Sequence, residues 1–167
     1  MKAKLLLLSL LFISVRGFCQ SSNCEELMQQ NEYLRKALAI SKPIKTVTAS
    51  GIDVNLIQCI GNTKEQTVTV LLTLVNKDAN KEFQFSTTKA IDMEGNDYNT
   101  SDLKIGTTGI RSKLYTDTPV KAAVRFSKIL PSTKMLRLVD VSYYDPDSNR
   151  PGVKKDFQLK DLDITWE

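Results

Sequence analysis

The stretch Thr67-Val68-Thr69-Val70-Leu71-Leu72-Thr73-Leu74-Val75 decides the fold. Six of its nine residues branch at Cβ, the other three are leucine, and no charge interrupts the run. Side chains branched at Cβ lose rotamer freedom in a helix and pack well on a pleated surface, so this is the profile of a central β-strand. Upstream, Ile52, Val54, Leu56 and Ile60 alternate around Asp53, Asn55 and Cys59, and Gly61-Asn62 closes the run with turn chemistry. Downstream, Asn76 to Asn80 is polar and turn-like. Phe83 and Phe85 then alternate, Ala90-Ile91-Asp92 follows, and Gly95-Asn96 turns the chain before Tyr98.

Residues 99–110 gather small and polar side chains and read as a long loop. Val120, Ala122, Val124 and Phe126 alternate again up to Leu130-Pro131. Met135 to Tyr144 contributes Leu136, Leu138 and two tyrosines, and Asp145 to Gly152 is a turn. Phe157, Leu159, Leu162, Ile164 and Trp166 make up the remaining apolar set. About seven or eight strands at such short spacing predict a sandwich or barrel, and no strand alternates with a second helix as a parallel α/β sheet requires. The expected class is all-β: an antiparallel β-sandwich over residues 44–167, preceded by one short α-helix.

Thr67 to Val75 with Asn76, Ile91-Asp92-Met93-Glu94-Gly95-Asn96-Asp97-Tyr98, and Val120 to Leu130-Pro131 together resemble a group of exported bacterial immunoglobulin-like β-sandwich proteins of the Bacteroidetes type. In that group a strong strand ends at Asn, an acidic residue and Gly mark a hairpin, and a later strand pair ends at Pro. The resemblance covers about residues 50–145 and implies an immunoglobulin-like fold with no assigned reaction. It departs from an antibody-like domain, because no cysteine pair brackets a buried tryptophan.

Residues 1–19 read as a secretory signal peptide. Lys2 and Lys4 precede the run Leu5 to Val15, which is apolar except for Ser9 and Ser14, and Gly17-Phe18-Cys19 places small residues for cleavage before Gln20. The run is about half of the roughly 20 apolar residues that span a bilayer. A lipid anchor on Cys19 is disfavoured by Arg16 and Phe18, which stand where an aliphatic and a small residue belong. The expected location is therefore periplasmic or extracellular, with no transmembrane span in the mature form. The whole chain has 23 Lys+Arg against 19 Asp+Glu, and loss of Lys2, Lys4 and Arg16 lowers the net charge from +4 to +1. Such a balance gives no bulk attraction to nucleic acid.

Residues 20–43 read as a helical lead-in. Ser22 or Asn23 can cap it, Glu25 and Glu26 suit its first turn, and Lys42-Pro43 stops it. Cys24, Leu27, Asn31, Leu34 and Leu38 fall three, four, three and four residues apart, the a and d positions of a heptad. An Asn at an a position favours a parallel pair in fixed register. One reading is a short coiled coil that makes a homodimer through these five residues, with Cys24 able to bridge to its twin. The other is a helix that lays its leucine stripe on its own domain, or a helical spacer that follows the cleavage site. Cys24 and Cys59 are the cysteines of the mature chain, and Cys59 reads equally as a partner for Cys24 or as a buried thiol.

The chain contains no histidine. That removes Ser-His-Asp and Cys-His catalysis, His-ligated zinc and the usual near-neutral base. Three constellations remain. Asp145, Asp147, Asn149 and Asp156 echo the oxygen spacing of a calcium loop, although Arg150 stands where the sharp turn needs Gly and Pro151 follows it, so a plain turn is the competing reading. Asp92, Glu94, Asn96, Asp97 and Asp102 make an acidic loop beside Tyr98. Read boldly, it holds a cation or a carboxylate pair for glycoside hydrolysis; read plainly, it is a solvated hairpin. Tyr115, Tyr143, Tyr144 and Trp166 offer an aromatic platform, although adjacent Tyr143 and Tyr144 must point to opposite faces of a strand. No catalytic, cofactor-binding or metal residue is assigned, and no cofactor is expected. The functional expectation is an exported non-enzymatic interaction module for an unknown protein or glycan ligand. A carbohydrate-active hydrolase using loop carboxylates and a self-associating envelope protein are the alternatives.

Overall fold

A computed structural model describes residues 21–107 and 109–167. The signal-peptide reading of residues 1–19 lies outside the described residues. The chain divides into two compact units, with the boundary between Ser41 and Lys42. In the first, helix α1 runs Ser21–Ser41 and ends where Lys42-Pro43 stops it. Ser22 and Asn23 lie inside this helix and do not cap it, so Glu25 and Glu26 fall beyond its first turn.

The second unit begins with β1 (Lys45–Ala49), β2 (Ile52–Asn62), β3 (Thr67–Asn76), β4 (Lys81–Asp92), β5 (Asp97–Thr100) and β6 (Leu103–Ile105). It continues with β7 (Arg111–Leu114), β8 (Pro119–Ser127), β9 (Met135–Tyr144), β10 (Lys154–Asp163) and β11 (Thr165–Trp166). One sheet has the order β1-β2-β3-β8-β6, with β11 added alongside β2; the other is β10-β9-β4-β5, with β7 added alongside β4. All pairings are antiparallel except β11 with β2, which is parallel. The TVTVLLTLV strand, β3, lies in the middle of the first sheet, flanked by β2 and β8. The domain is an antiparallel β-sandwich, preceded in the chain by one helix.

The inward side chains of both sheets form one core. Val54, Leu56, Val70, Leu72, Leu74, Val124 and Phe126 come from the first sheet, and Phe83, Phe85, Leu136, Val139, Val141, Tyr143 and Leu159 from the second. Phe83 stacks on Tyr143 with ring centroids 5.1 Å apart and meets Phe85 edge-on at 5.2 Å. Each such large apolar side chain contributes about 1.5–3 kcal/mol on burial.

Two readings of the sequence need correction. Eleven strands are present among the described residues, more than the seven or eight expected. The surplus comes from pieces too short to show a period. The 99–110 stretch is also not one long loop, because Leu103 and Ile105, at 3% and 0% exposure, form β6 against β8. Three residues cannot announce a strand; pairing with β8 makes this one.

Candidate functional site

Polar residues converge at the end of the sandwich where β1 turns into β2. Ser50 and Gly51 form a two-residue turn with φ of 49° and 67°. Positive φ at both central residues matches the twist of the flanking strands, and glycine takes it without steric penalty. Asp78 leans directly over Gly51, whose missing Cβ would lie 1.7 Å from Asp78 Oδ2.

Lys81, the first residue of β4, has a side chain only 9% exposed. Its Nζ donates to Ser50 O at 3.0 Å, Asp78 Oδ2 at 3.0 Å and Asp147 Oδ1 at 2.9 Å. From β10, Lys155 Nζ reaches Asp145 Oδ2 at 3.0 Å and Ser50 Oγ at 3.4 Å. Ser50 Oγ also shares a hydrogen bond with the hydroxyl of Tyr143 at 3.0 Å and donates to Asp145 Oδ1 at 3.4 Å. A serine, two lysines, a tyrosine and three carboxylates thus tie the β1–β2 turn to the start of β4 and the β9–β10 loop.

The Ser50 hydroxyl beside Lys155, with Lys81 on the Ser50 carbonyl, suggests a Ser–Lys nucleophile pair, which requires a neutral amine to accept the serine proton. Neither lysine meets that need. Burial pushes Lys81 down, but its hydrogen bonds to Asp147 and Asp78 outweigh this and hold it above the ordinary lysine value. The hydrogen bond to Asp145 holds Lys155 above that value too. Burial pushes the Asp145 carboxyl up, yet Lys155, the Asp147 backbone N–H and Ser50 bring it below the usual range. The network is a set of charged groups kept charged, and it suits holding three chain segments together.

It also accounts for the calcium-like spacing. Asp145 and Asp147 face two different ammonium groups, and Asp156 Oδ1 accepts from Ser142 Oγ at 2.5 Å. Among the described residues no three Asp, Glu, Cys or His side chains gather in a way that could hold a metal ion.

The acidic loop is organised around one buried carboxylate. Asp92, at 3% exposure, accepts from Glu94 N, Asn96 N and Asn96 Nδ2, each at 2.9 Å, and from the hydroxyl of Tyr98 at 2.8 Å. Burial raises its carboxyl pKa, and these bonds outweigh that and hold it below the ordinary value. Asp97 pairs with Lys89 at 3.0 Å, while Glu94 and Asp102 lie exposed. Asp92 therefore acts as a staple for the β4–β5 hairpin.

The four aromatic residues do not form one platform. Tyr143 is in the core at 1% exposure, whereas Tyr144 lies on the outer face of β9 with Lys154 over its ring. Tyr115 is exposed beside Lys113. Trp166 packs on Gly61 and donates from Nε1 to Thr133 O at 2.7 Å.

Both described cysteines are free thiols, Cys24 exposed and Cys59 buried. Burial, with Asp163 adding to it, pushes the Cys59 thiol up to about 12. Because the thiolate is the reactive form, Cys59 should resist a thiol-labelling disulfide reagent at neutral pH until the domain unfolds. Rapid labelling of the folded chain at Cys59 would contradict this.

Sequence reasoning missed Ser50 and Lys81. A Ser-Gly pair between two alternating runs signals a tight turn, but nothing local reveals that a lysine entering β4 will be covered.

No protein-family model matches the chain, and no curated protein matches it. Among solved structures, the ASH / PapD-like domain of human CEP192 (PapD-like domain 7) is similar at 16% identity and a TM-score of 0.37, over 75% of this chain and 93% of that one. A likeness this distant carries no inference about activity.

Proposed function

We propose that the chain is an exported, non-enzymatic β-sandwich interaction module that pairs with a second copy through α1. The observation that carries this is the exposed heptad seam. Its d-position leucines, Leu27 and Leu34, are 54% and 57% exposed. Most of a helix's stability in a protein comes from packing its apolar face, and burying these leucines against a twin contributes about 2 kcal/mol for each. Asn31 at an a position sets a parallel register, which brings the two Cys24 thiols together. Leu38 continues the seam in sequence, and its side chain lies outside the described residues.

Export is supported by the leader-like residues 1–19 and the Bacteroidetes-type resemblance, and the absence of turnover by the missing histidine and the protonated lysines beside Ser50. The partner of the sandwich itself is a protein or a glycan.

Sedimentation of the chain exported with its own leader should show a dimer that Leu27→Asp with Leu34→Asp converts to monomer. Mild oxidation should give a covalent dimer that Cys24→Ser abolishes while the non-covalent dimer persists. A wild-type monomer at about 100 μM, or a dimer indifferent to the two aspartates, would refute self-pairing. Glycan hydrolysis abolished by one carboxylate substitution would refute the non-enzymatic reading.

A further inference from the structure

The first sheet ends on β1, whose ladder with β2 runs unbroken from Lys45 opposite Leu56 to Ala49 opposite Ile52. The two-residue turn at Ser50-Gly51 makes Ala49 and Ile52 a hydrogen-bonded pair, so by alternation Val47 and Val54 are one as well. The backbone N–H and C=O groups of Thr46 and Thr48 then point away from β2, along the edge of the sheet. Their side chains are held on the outer face. Thr46 Oγ1 donates to Asn55 Oδ1 and Thr48 Oγ1 to Asp53 Oδ1, each at 2.7 Å, so neither hydroxyl turns back to cap that edge.

An open edge is a template for a further strand, and proteins guard such edges with short strands, charge or bulges. The other edges here carry those guards. β10 bears three lysines and three aspartates, and Asp161, at φ 52°, interrupts its ladder with β9 between Lys160 and Leu162. Lys45 Nζ also caps Lys160 O. β6 is three residues long, β5 and β7 are four each, and all three carry charge. β1 reads Lys-Thr-Val-Thr-Ala, and its single charge is the ammonium that reaches Lys160.

We infer that β1 is a docking edge for the β1 of a second copy, paired antiparallel about a two-fold axis at Val47. The inference rests on the pairing through α1 proposed above and extends it into the sandwich. Only residues 42–44 lie between α1 and β1, and three residues span at most about 10 Å. Paired helices lie about 9 Å apart, and the first residues of two antiparallel five-residue strands about 16 Å apart. Two such links bridge that difference. The strand is self-complementary in this register: Thr46 exchanges backbone hydrogen bonds with Thr48 of the second copy, and Val47 meets its twin on the core-facing side. Lys45 stands opposite Ala49, so no like charges meet. The interface is short, which is why it needs the helices to bring the strands together.

Amide hydrogen exchange of the exported chain, read by NMR where sedimentation shows the dimer, tests this. The Thr46 and Thr48 amides should exchange at least about tenfold more slowly in the dimer than in the Leu27→Asp, Leu34→Asp monomer. The Val47 amide, bonded to Val54 within each chain, should change little. Thr48→Pro removes a donor that β2 does not use, and proline is tolerated at such an edge. It should abolish the slowing at Thr46 and leave a dimer held by α1. A dimer whose Thr46 and Thr48 amides exchange as fast as in the monomer overturns the edge pairing and leaves the helix pairing standing. Equal protection in the monomer shows the edge covered within one chain and overturns it too. A wild-type chain that stays monomeric at about 100 μM overturns both.

Discussion

Gly61→Val should lower the melting temperature of the sandwich by roughly 10 °C, equivalent to about 3 kcal/mol for a domain of this size. Gly61 in β2 lies flat against the indole of Trp166. A Cβ at that position would lie 2.3 Å from Cε3 and 2.5 Å from Cδ2 of the ring. The indole cannot yield cheaply, because Nε1 donates to Thr133 O at 2.7 Å. Its strand β11 is also stitched beside β2, with Glu167 N donating to Gly61 O at 2.9 Å and Thr63 N to Glu167 O at 3.0 Å. Valine would displace the ring and loosen these bonds together. Trp166→Ala alone should cost a similar amount by emptying the same contact. The two substitutions combined should cost clearly less than their sum, since the added side chain then has no ring to meet. Simple additivity in thermal or urea unfolding would show that the contact does not hold β11 in place.

Asp92→Ala should cost about 2–4 kcal/mol, because one buried carboxylate serves four donors and hydrogen bonds to a charged acceptor are the stronger kind. Tyr98→Phe removes one of those donors and should cost about 1 kcal/mol. The pH dependence follows from the direction of the shift. The folded-state pKa of Asp92 lies below its ordinary value of 3.8, so its contribution is fully present above that value and is lost as the pH falls through the folded pKa. Asp145 shifts in the same direction and adds to the same acid limb. Wild-type and Asp92→Ala unfolding free energies should therefore converge as the pH drops from about 4 toward about 2. A constant gap across that range would mean that the charge of Asp92 is not what holds the hairpin.

Much of the fold is legible residue by residue. Period-two alternation at Ile52, Val54 and Leu56 and at Ala122, Val124 and Phe126 reports the buried face of each strand, since successive side chains point to opposite sides. Lys42-Pro43 stops the helix. Asn76, the polar end of the strongest strand, is wholly buried, with its Nδ2 donating to Asp78 O at 3.1 Å and Ala79 O at 3.0 Å.

The sites are much less legible, because their partners are distant in sequence. Ser50 meets Tyr143 across 93 positions, and Trp166 meets Thr133 across 33. The acidic residues of 92–97 stand out by composition, but composition does not distinguish a staple from a catalytic pair. That choice rests on Asp92 turning inward beneath Asn96 and Tyr98.

By itself, the sequence determined the β-rich class, the central place of Thr67–Val75, the end of the helix and the lack of imidazole chemistry. These follow from local periodicity and residue inventory, which need no knowledge of distant partners. Only the tertiary structure decided that Lys81 and Lys155 occupy the carboxylates of the calcium-like loop, that Trp166 closes over Gly61, and that Lys89 turns to Asp97 and leaves Asp140 Oδ1 unpaired. Each outcome depends on strand register and bulges. A shift of one residue sends a side chain to the opposite face and changes its partner, and no local pattern in the chain specifies that choice.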